Sequence, residues 1–484
     1  MKNLFFESQY SSLPEAFYEK LSSTKFPKVE LIKWNDSLAK EFSLDSLINH
    51  DIDRAQLFSG QKIDYGARPI AQAYSGHQFG HFNPNLGDGR ALLLGEMRNL
   101  QNVLYDVHLK GSGPTRFSRR GDGKANLAAV VREYLVSESM FHLNIPTSRS
   151  LAIISTGETV FRDTPQPGAI LVRMAKCHVR IGTFEYFFSR NDLNNAKILA
   201  DFVIDRLFSG IPKNEEGYLH LLEQIIDRQA SLVSKWMNVG FIHGVMNTDN
   251  TFISGETLDY GPCAFMEEFN SKSVFSFIDK DGRYAFANQP HILQWNLASL
   301  GECFYRWMDS QDKNQLKVKI ASLIEGYETL FQKYYLKDLS KKFGFFDFKD
   351  FDHFHFQDFF QFMELNKIDF TMGFRRLSQL LYENKNSLYS ALNVEWIKSW
   401  KEQVLNQGRS ISEVESLMNS VNPIYIPRNH LVEDCIQSAL AHDFSKLDQL
   451  LMATSQPFEE KEKFILYAEP AKPSQRVTNT YCNT

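Results

Sequence analysis

The sequence predicts an α+β fold in which a strand-rich N-terminal part precedes a mostly helical part. Two observations carry this prediction. Residues 66–123 are rich in glycine, which is typical of turns between short strands and of backbone that approaches a ligand closely. From Asn126 onwards the apolar residues instead recur at helical spacing over long segments.

Short strands are predicted in the N-terminal part. Residues 91–96 and 103–110 have strand-like apolar patterns, and residues 150–155 and 169–175 return to them after an intervening helix. Apolar and polar side chains alternate along the strand 103–110. Lys110 at its end is therefore predicted on the polar face, pointing away from its apolar neighbours.

The first long helix is predicted to begin after Asn126, a favourable N-cap, and to end near Leu143, before Pro146. The phenylalanine-dense segment 344–362 interleaves rings with polar residues, and we interpret it as a packing surface. Further segments with helical spacing lie at residues 192–208, 219–239, 291–308, 314–335 and 431–442.

The composition of the 484-residue chain excludes several classes of protein. A hydrophobic content of 43% supports a globular core, and 53 Lys plus Arg against 58 Asp plus Glu gives a net charge of −5. This balance provides no general field for nucleic acid or an anionic membrane, so neither partner is expected. Any bound anion must be held by locally placed cations.

The location of the protein is predicted from three further features. No apolar segment approaches the roughly 18 residues of a spanning helix. The N-terminus lacks the apolar core of a signal peptide, and the five well-spaced cysteines form no CxxC pair. We therefore expect a soluble cytoplasmic protein.

Residues 85–96 form a turn with two glycines and an arginine that leads into a strand. Backbone N–H groups at Gly87 and Gly89 and the guanidinium of Arg90 are suited to phosphate oxygens. An ordinary hairpin turn explains the same residues, because neither GxGxxG nor GxxxxGK[ST] occurs in the chain.

Lys110 and Glu133 form a second candidate feature. A strand lysine held by a helix glutamate is the arrangement with which protein kinases orient ATP phosphates, although a lysine at a strand end is more often solvated. Another charged glycine turn, residues 119–124, lies between them. Arg173 and Arg180 have a spacing that by itself indicates surface charges.

Residues 241–250 resemble the kinase catalytic loop HRDxxxxN. His243 takes the position of the histidine and Asn250 that of the metal-binding asparagine. Asp259 is the first residue of an Asp-Tyr-Gly sequence that corresponds to DFG. Hard oxygen ligands of this kind suit a Mg²⁺ ion that accompanies a nucleotide.

One kinase residue is missing from this pattern. Val245 stands at the position of the catalytic aspartate and cannot accept a proton, so Asp249 is the nearest replacement. Turn chemistry alone also explains Asp and Asn in such loops. The order of glycine turn, lysine, helix glutamate, Asp-Asn and Asp-Tyr-Gly favours the functional interpretation.

Several long segments together resemble one family. They are YSGHQFGHFNPNLGDGRALLLGE (74–96), HLKGSGPTRFSRRGDGKANLAAVVREYLVSESM (108–140), FIHGVMNTDNTF (241–252), LDYGPCAFM (258–266) and NPIYIPRNHL (422–431). With them the chain resembles the selenoprotein O family, called YdiU in bacteria. The resemblance implies a protein-kinase-like bilobal fold, with ATP bound in a reversed orientation and AMP transferred to protein hydroxyls.

The resemblance also implies a division of the chain and a set of site residues. Glu133 matches the residue that pairs with Lys110, and Asp249 matches the proton acceptor. Asn250 and Asp259 match the ligands of Mg²⁺ or Mn²⁺. The implied nucleotide contacts are Gly87, Gly89, Arg90, Lys110, Asp122, Gly123, Arg173, Arg180 and Asp259. The implied units are an N-terminal extension (1–65), a kinase-like N-lobe (66–185), a C-lobe (186–335) and a helical C-terminal extension (336–484).

Cys482, third from the end, lies where some members of the family carry selenocysteine. Regulation by a disulfide to that residue occurs in the family. Phe275 stands in the region where some bacterial members have the partner cysteine, and Cys263 is a candidate substitute. A purely structural Cys482 fits the sequence as well.

The leading hypothesis is therefore transfer of AMP from ATP to a Ser, Thr or Tyr hydroxyl of a protein, with release of pyrophosphate. UMP transfer from UTP, protein phosphorylation and a non-catalytic kinase-like scaffold are the alternatives. Val245 and the turn at Arg90 favour nucleotidyl transfer over phosphorylation.

Overall fold

The computed structural model describes residues 6–351, 353–382 and 386–481, and its fold is α+β, as predicted. The strands are β1 (Tyr18–Lys20), β2 (Glu30–Trp34), β3 (Ile70–Gln72), β4 (Gly76–Gln78), β5 (His81–Asn83), β6 (Ala91–Arg98), β7 (Leu104–Lys110), β8 (Ala125–Asn126), β9 (Arg149–Phe161), β10 (Pro165–Ala175), β11 (Phe241–Ile242) and β12 (Ala264–Phe265).

The α-helices of the described residues lie mostly after β10. They are α1 (Asp36–Glu41), α2 (Asp51–Phe58), α3 (Leu127–His142), α4 (Ile181–Ser189), α5 (Leu193–Leu207), α6 (Glu215–Val239), α7 (Gln289–Trp307), α8 (Lys313–Lys342), α9 (His353–Leu365), α10 (Phe370–Arg375), α11 (Val394–Leu405), α12 (Ile411–Val421), α13 (Asn429–Leu440), α14 (Ser445–Thr454) and α15 (Ile465–Ala468).

The predicted elements are present, with shifted ends. Asn126 caps α3 by accepting a hydrogen bond from the backbone N–H of Ala129 (2.9 Å). The helix predicted from residue 219 begins earlier, because the side chain of Asn214 caps it through the N–H of Gly217 (2.9 Å). Local capping therefore sets both helix starts.

Within the described ranges, eight strands form one antiparallel sheet in the order β1-β3-β6-β7-β10-β9-β2, with β8 paired to β10. The register pairs Ala91 with Lys110 and His108 with Arg173. Side chains directly opposite each other lie on the same face. The start of β6, the end of β7 and the middle of β10 therefore present their residues side by side.

The sheet is buried on both faces. Apolar residues of one face, among them Val107 and Leu109, pack against α1 and α2, while the other face meets α3 and the helical part. The polar face predicted for β7 exists, but it is not solvated, since His108 and Lys110 are only 1% and 2% exposed. Helices cover this face too, so its polar groups must be paired inside the protein.

The C-terminal region packs largely through aromatic rings. Phe351 and Phe359 of the phenylalanine-dense segment are buried, and the ring centre of Phe359 lies 5.3 Å from that of Phe374. Phe346 and Phe348 are exposed, so the interpretation as a packing surface holds for only part of the segment that the structure describes. No helix among the described residues is long and apolar enough to cross a membrane.

Lys342 of α8 gives a prediction about stability. Its ammonium lies 4.2 Å from the ring centre of Phe374, and burial lowers its pKa from 10.5 to about 7. Because the unfolded chain holds this proton more tightly, the penalty on the folded state grows as the pH falls from about 10 to 7. We expect Lys342→Met to stabilise the protein by about 1–3 kcal/mol at pH 7 and by less near pH 10.

Urea unfolding of both proteins at the two pH values measures this difference. Lys341→Met is the matched control, since Lys341 is only partly buried and should show no pH-dependent gain. Equal stability of wild type and Lys342→Met at pH 7 would contradict the prediction.

Candidate active site

A cleft of about 990 Å³ lies between the glycine turns at the edge of the sheet and the loops that follow β11. Glu133 lies behind its wall, and Cys482 falls outside the described residues. The predicted site residues that line the cleft are Gly87, Gly89, Arg90, Lys110, Asp122, Gly123, Arg173, Arg180, Asp249, Asn250 and Asp259.

The glycine turns approach each other too closely for side chains. Gly87 has a φ of 85°, and a Cβ there would lie 2.3 Å from the ring of Phe117. A Cβ at Gly123 (φ 68°) would lie 2.2 Å from the carbonyl carbon of Gly113. These positions require glycine both for the left-handed backbone and for space.

One carboxylate holds two cations of the cleft. Glu133 of α3 places one oxygen 2.5 Å from Lys110 Nζ and the other 2.6 Å from Arg173 Nε, and all three side chains are at most 7% exposed. Asp259 Oδ1 lies 3.7 Å from the same Nζ. The lysine and glutamate predicted to pair are therefore in contact, and the pair extends to Arg173.

Arg173 and Arg180 are not surface charges, so the expectation from their spacing is wrong. They are 5% and 4% exposed, because β10 continues into a bend that leads to α4 along the cleft wall. Arg180 donates to the carbonyl of Asp249 (3.1 Å) and stacks 4.0 Å from the ring centre of Tyr74. Arg180 thus joins the sheet to the loop of Asp249.

Asp88 is a residue of the site that sequence reasoning missed. It lies between the two glycines, is 1% exposed and contacts His108 Nε2 (3.2 Å) and Arg180 Nη2 (3.5 Å). Burial would raise the pKa of Asp88, but His108 and Arg180 lower it to about 2. The sequence signal for Asp88 is its position in the turn Gly-Asp-Gly-Arg, where a carboxylate can offset the positive charge of buried cations.

Asp122 lies at the mouth of the cleft rather than inside it. Its carboxylate accepts hydrogen bonds from both terminal nitrogens of Arg162 (2.9 and 3.0 Å). These hydrogen bonds connect the glycine turn of residues 119–124 to the hairpin of β9 and β10.

Asp249 lies in a 3₁₀ turn (Thr248–Asn250) and is 7% exposed. Burial raises its pKa to about 7, while Arg180 and a hydrogen bond from Gln78 Nε2 (3.0 Å) act in the opposite direction. Gln78 lies in one of the segments that carry the family resemblance, but the sequence alone assigns it no role. A carboxyl group with a pKa near 7 is suited to exchanging protons at neutral pH.

His243 connects the two loops of the site. Its Nε2 contacts the carbonyl of Leu258 (2.9 Å), next to Asp259. Burial would raise the pKa of Asp259, but Lys110 and Arg90 hold it well below its ordinary value. Asp259 is therefore ionised at neutral pH.

The donor set fits a hard divalent cation. The amide nitrogen of Asn250 donates to Val245 O (3.1 Å), which leaves the amide oxygen for a ligand, and Asp259 supplies a carboxylate to the same cleft. The described part of the chain contains no cluster of three His, Cys, Asp or Glu suited to a metal. Two protein oxygens suffice for Mg²⁺, which usually takes its other ligands from water and phosphate.

Comparison with known proteins identifies the family. A family model described as "Protein adenylyltransferase SelO" matches residues 1–455. The chain belongs to the SelO family. It is accordingly a protein nucleotidyltransferase.

Relatives of the chain carry the name "Protein nucleotidyltransferase YdiU". One from Rhizobium johnstonii is 44% identical over 99% of this chain and 97% of its own length. Relatives from Bradyrhizobium diazoefficiens and Rhodopseudomonas palustris are also 44% identical, over 99% of each chain. The similarity to other SelO family members thus extends along nearly the whole chain.

The cysteine that the sequence offered as a substitute redox partner is unsuited to that role. Cys263 is 2% exposed, donates to the carbonyl of Tyr260 (3.3 Å), and burial raises its pKa to about 12. A buried thiol of this kind forms little thiolate at neutral pH, and the thiolate is the reactive form. Position 275 holds a phenylalanine, which has no thiol. Its backbone carbonyl accepts a hydrogen bond from the backbone N–H of Thr480 (2.7 Å).

Proposed function

We propose that this SelO family member transfers AMP from ATP to Ser, Thr or Tyr hydroxyls of proteins, with Asp249 as the proton acceptor. One observation carries the proposal. The buried carboxyl group of Asp249 lines the same cleft as Arg90, Lys110, Arg173 and Arg180, while Val245 leaves the kinase base position without an acid.

The proposed reaction uses these positions. The acceptor hydroxyl oxygen forms a bond to the α-phosphorus, and its proton passes to Asp249. The bond from that phosphorus to the bridging oxygen breaks, and the electron pair leaves with pyrophosphate. Lys110, Arg173 and Arg180 offset the charge that builds on the phosphates, which is the main catalytic contribution in such transfers.

Asn250 and Asp259 are proposed to hold the divalent cation, Mg²⁺ or Mn²⁺. When bound, the cation would neutralise part of the charge on the phosphates. The ionised state of Asp259 supports this role. Gly87, Gly89, Asp122 and Gly123 are proposed as the further nucleotide contacts, because they line the same cleft.

The finer description of the fold belongs to the same proposal. We propose a kinase-like bilobal arrangement with lobes at 66–185 and 186–335, flanked by extensions at 1–65 and 336–484. The order of the lysine strand, the glutamate helix and the two cleft loops supports it. The proposal includes a cytoplasmic location, and Cys482, which lies outside the described residues, stays a redox candidate.

Two labels of ATP test the reaction. The purified protein is incubated with Mg²⁺ or Mn²⁺, a mixture of candidate substrate proteins, and ATP labelled on either the α- or the γ-phosphate. We expect protein-bound label from the α-phosphate only, because the γ-phosphate leaves with pyrophosphate. Label from the γ-phosphate alone would identify a kinase and contradict the proposal.

Nucleotide preference is measured in the same assay. Unlabelled UTP is added in increasing concentration against α-labelled ATP. Loss of labelling at UTP concentrations well below that of ATP would show that the site binds UTP in preference to ATP. Mass spectrometry of the labelled proteins identifies the acceptor residues.

A further inference from the structure

The hairpin of β4 and β5 lies directly against the loop that carries Asp249. The backbone N–H of His77 donates to Thr248 Oγ1 (2.7 Å), and that of Phe79 donates to Asn247 Oδ1 (3.1 Å). With the hydrogen bond from Gln78 to Asp249, the hairpin makes a hydrogen bond to each residue from 247 to 249. The two segments are thus held as one unit.

This close approach depends on Gly76 and on a buried acid. A Cβ at position 76 would lie 2.8 Å from both Cβ and Oδ1 of Asp249. Glu185 of α4 is 2% exposed, and it accepts from Thr248 Oγ1 (2.6 Å) and contacts His77 Nδ1 (2.7 Å). Glu185 therefore connects β4 and the loop of Asp249 to α4.

The two oxygens of Asp249 have different surroundings. Oδ2 accepts the hydrogen bond from Gln78 Nε2 at 3.0 Å. Oδ1 is buried and has no hydrogen-bond partner among the residues that the structure describes. We propose that Gln78 is a positioning residue, whose hydrogen bond to Oδ2 fixes the rotation of the Asp249 carboxyl group at the wall of the cleft.

This inference rests on the proposed role of Asp249 as proton acceptor. Rotation about the last bond of an aspartate side chain is soft, so an unheld carboxylate would sample many orientations. A neutral amide donor fixes the rotation and adds no positive charge beside the base. Fixing a reacting group before reaction removes part of the entropic cost of the transition state.

Gln78→Met tests the inference, because methionine has a similar length and lacks the donor. We expect kcat for α-labelled ATP to fall about 10- to 100-fold, part of the gain that a general base supplies. KM for ATP should stay within about twofold, since Gln78 acts on the base and not on the nucleotide. A residue that only supported the fold would change the melting temperature and would not separate kcat from KM.

Gln78→Glu is a second variant that keeps the polar shape and places a carboxylate against Asp249. We expect it to lose at least as much kcat as the methionine variant. His81→Ala is the control, since His81 is exposed on the same hairpin and touches neither the cleft nor Asp249. It should retain wild-type kcat.

The outcomes separate this inference from the proposed function. If Asp249→Ala is inactive while both Gln78 variants keep wild-type kcat, the positioning role is wrong and the proposed base stands. An equal rise in KM without loss of kcat would also overturn it, since Gln78 would then bind nucleotide. If Asp249→Ala retains activity, the proposed base itself fails.

Discussion

Asp249→Ala is expected to lower kcat for AMP transfer by about 10²–10⁴-fold while the protein keeps its fold and its affinity for ATP. The side chain accepts the proton in the proposed reaction, and no other acid lies at the kinase base position, where Val245 stands. The contact of Arg180 is to the backbone carbonyl of Asp249, so it survives the substitution. Loss of the carboxyl therefore affects the chemical step more than binding.

Initial rates with α-labelled ATP, calorimetric titration with ATP and a melting curve measure the three quantities separately. Asp281→Ala, which removes an exposed acid, is the control and should behave as wild type. Wild-type kcat in Asp249→Ala would show that another group accepts the proton.

Glu133→Gln is expected to reduce both stability and activity. The glutamate carries two buried ion pairs, to Lys110 and Arg173, and their loss leaves two cations without their carboxylate. Removing one partner of a buried pair costs about 3–5 kcal/mol. Lys110 would also move towards Asp259, which lies 3.7 Å away, and would compete with the divalent cation. We expect kcat/KM to fall at least about a hundredfold.

A matched control separates the two effects. Glu138 lies on the same helix, is 4% exposed and pairs with Arg149 (2.8 Å), but it does not line the cleft. Glu138→Gln should lose comparable stability and retain the KM for ATP. The double variant Lys110→Met/Glu133→Gln should regain part of the stability and none of the activity. Equal KM and kcat in wild type and Glu133→Gln would contradict the assignment.

Much of the fold was predictable because its determinants are local. Asn126 caps α3 through a residue three positions away, and the alternation along 103–110 defines the two faces of β7. These signals act within a turn or a strand, so they are present in the sequence text. The segments that carry the family resemblance were long enough to indicate the reaction class before any geometry was known.

The candidate site was predictable as a set of residues but not as an arrangement. From their spacing alone, Arg173 and Arg180 were expected to be surface charges. Only the family resemblance implied that they contact the nucleotide. Their burial depends on how β10 bends towards α4, which no local pattern records. Asp88 was missed for the same reason, since its partners come from β7 and from the segment before α4.

The sequence by itself determined the α+β class, the start of α3 after Asn126, the pairing candidates Lys110 and Glu133, and the family. The tertiary structure decided that the polar face of β7 is buried and that Gln78 meets Asp249 from 171 positions away. The physical reason is the range of the forces involved. Caps and alternation act between near neighbours, whereas burial and contact between distant side chains depend on how the whole chain packs.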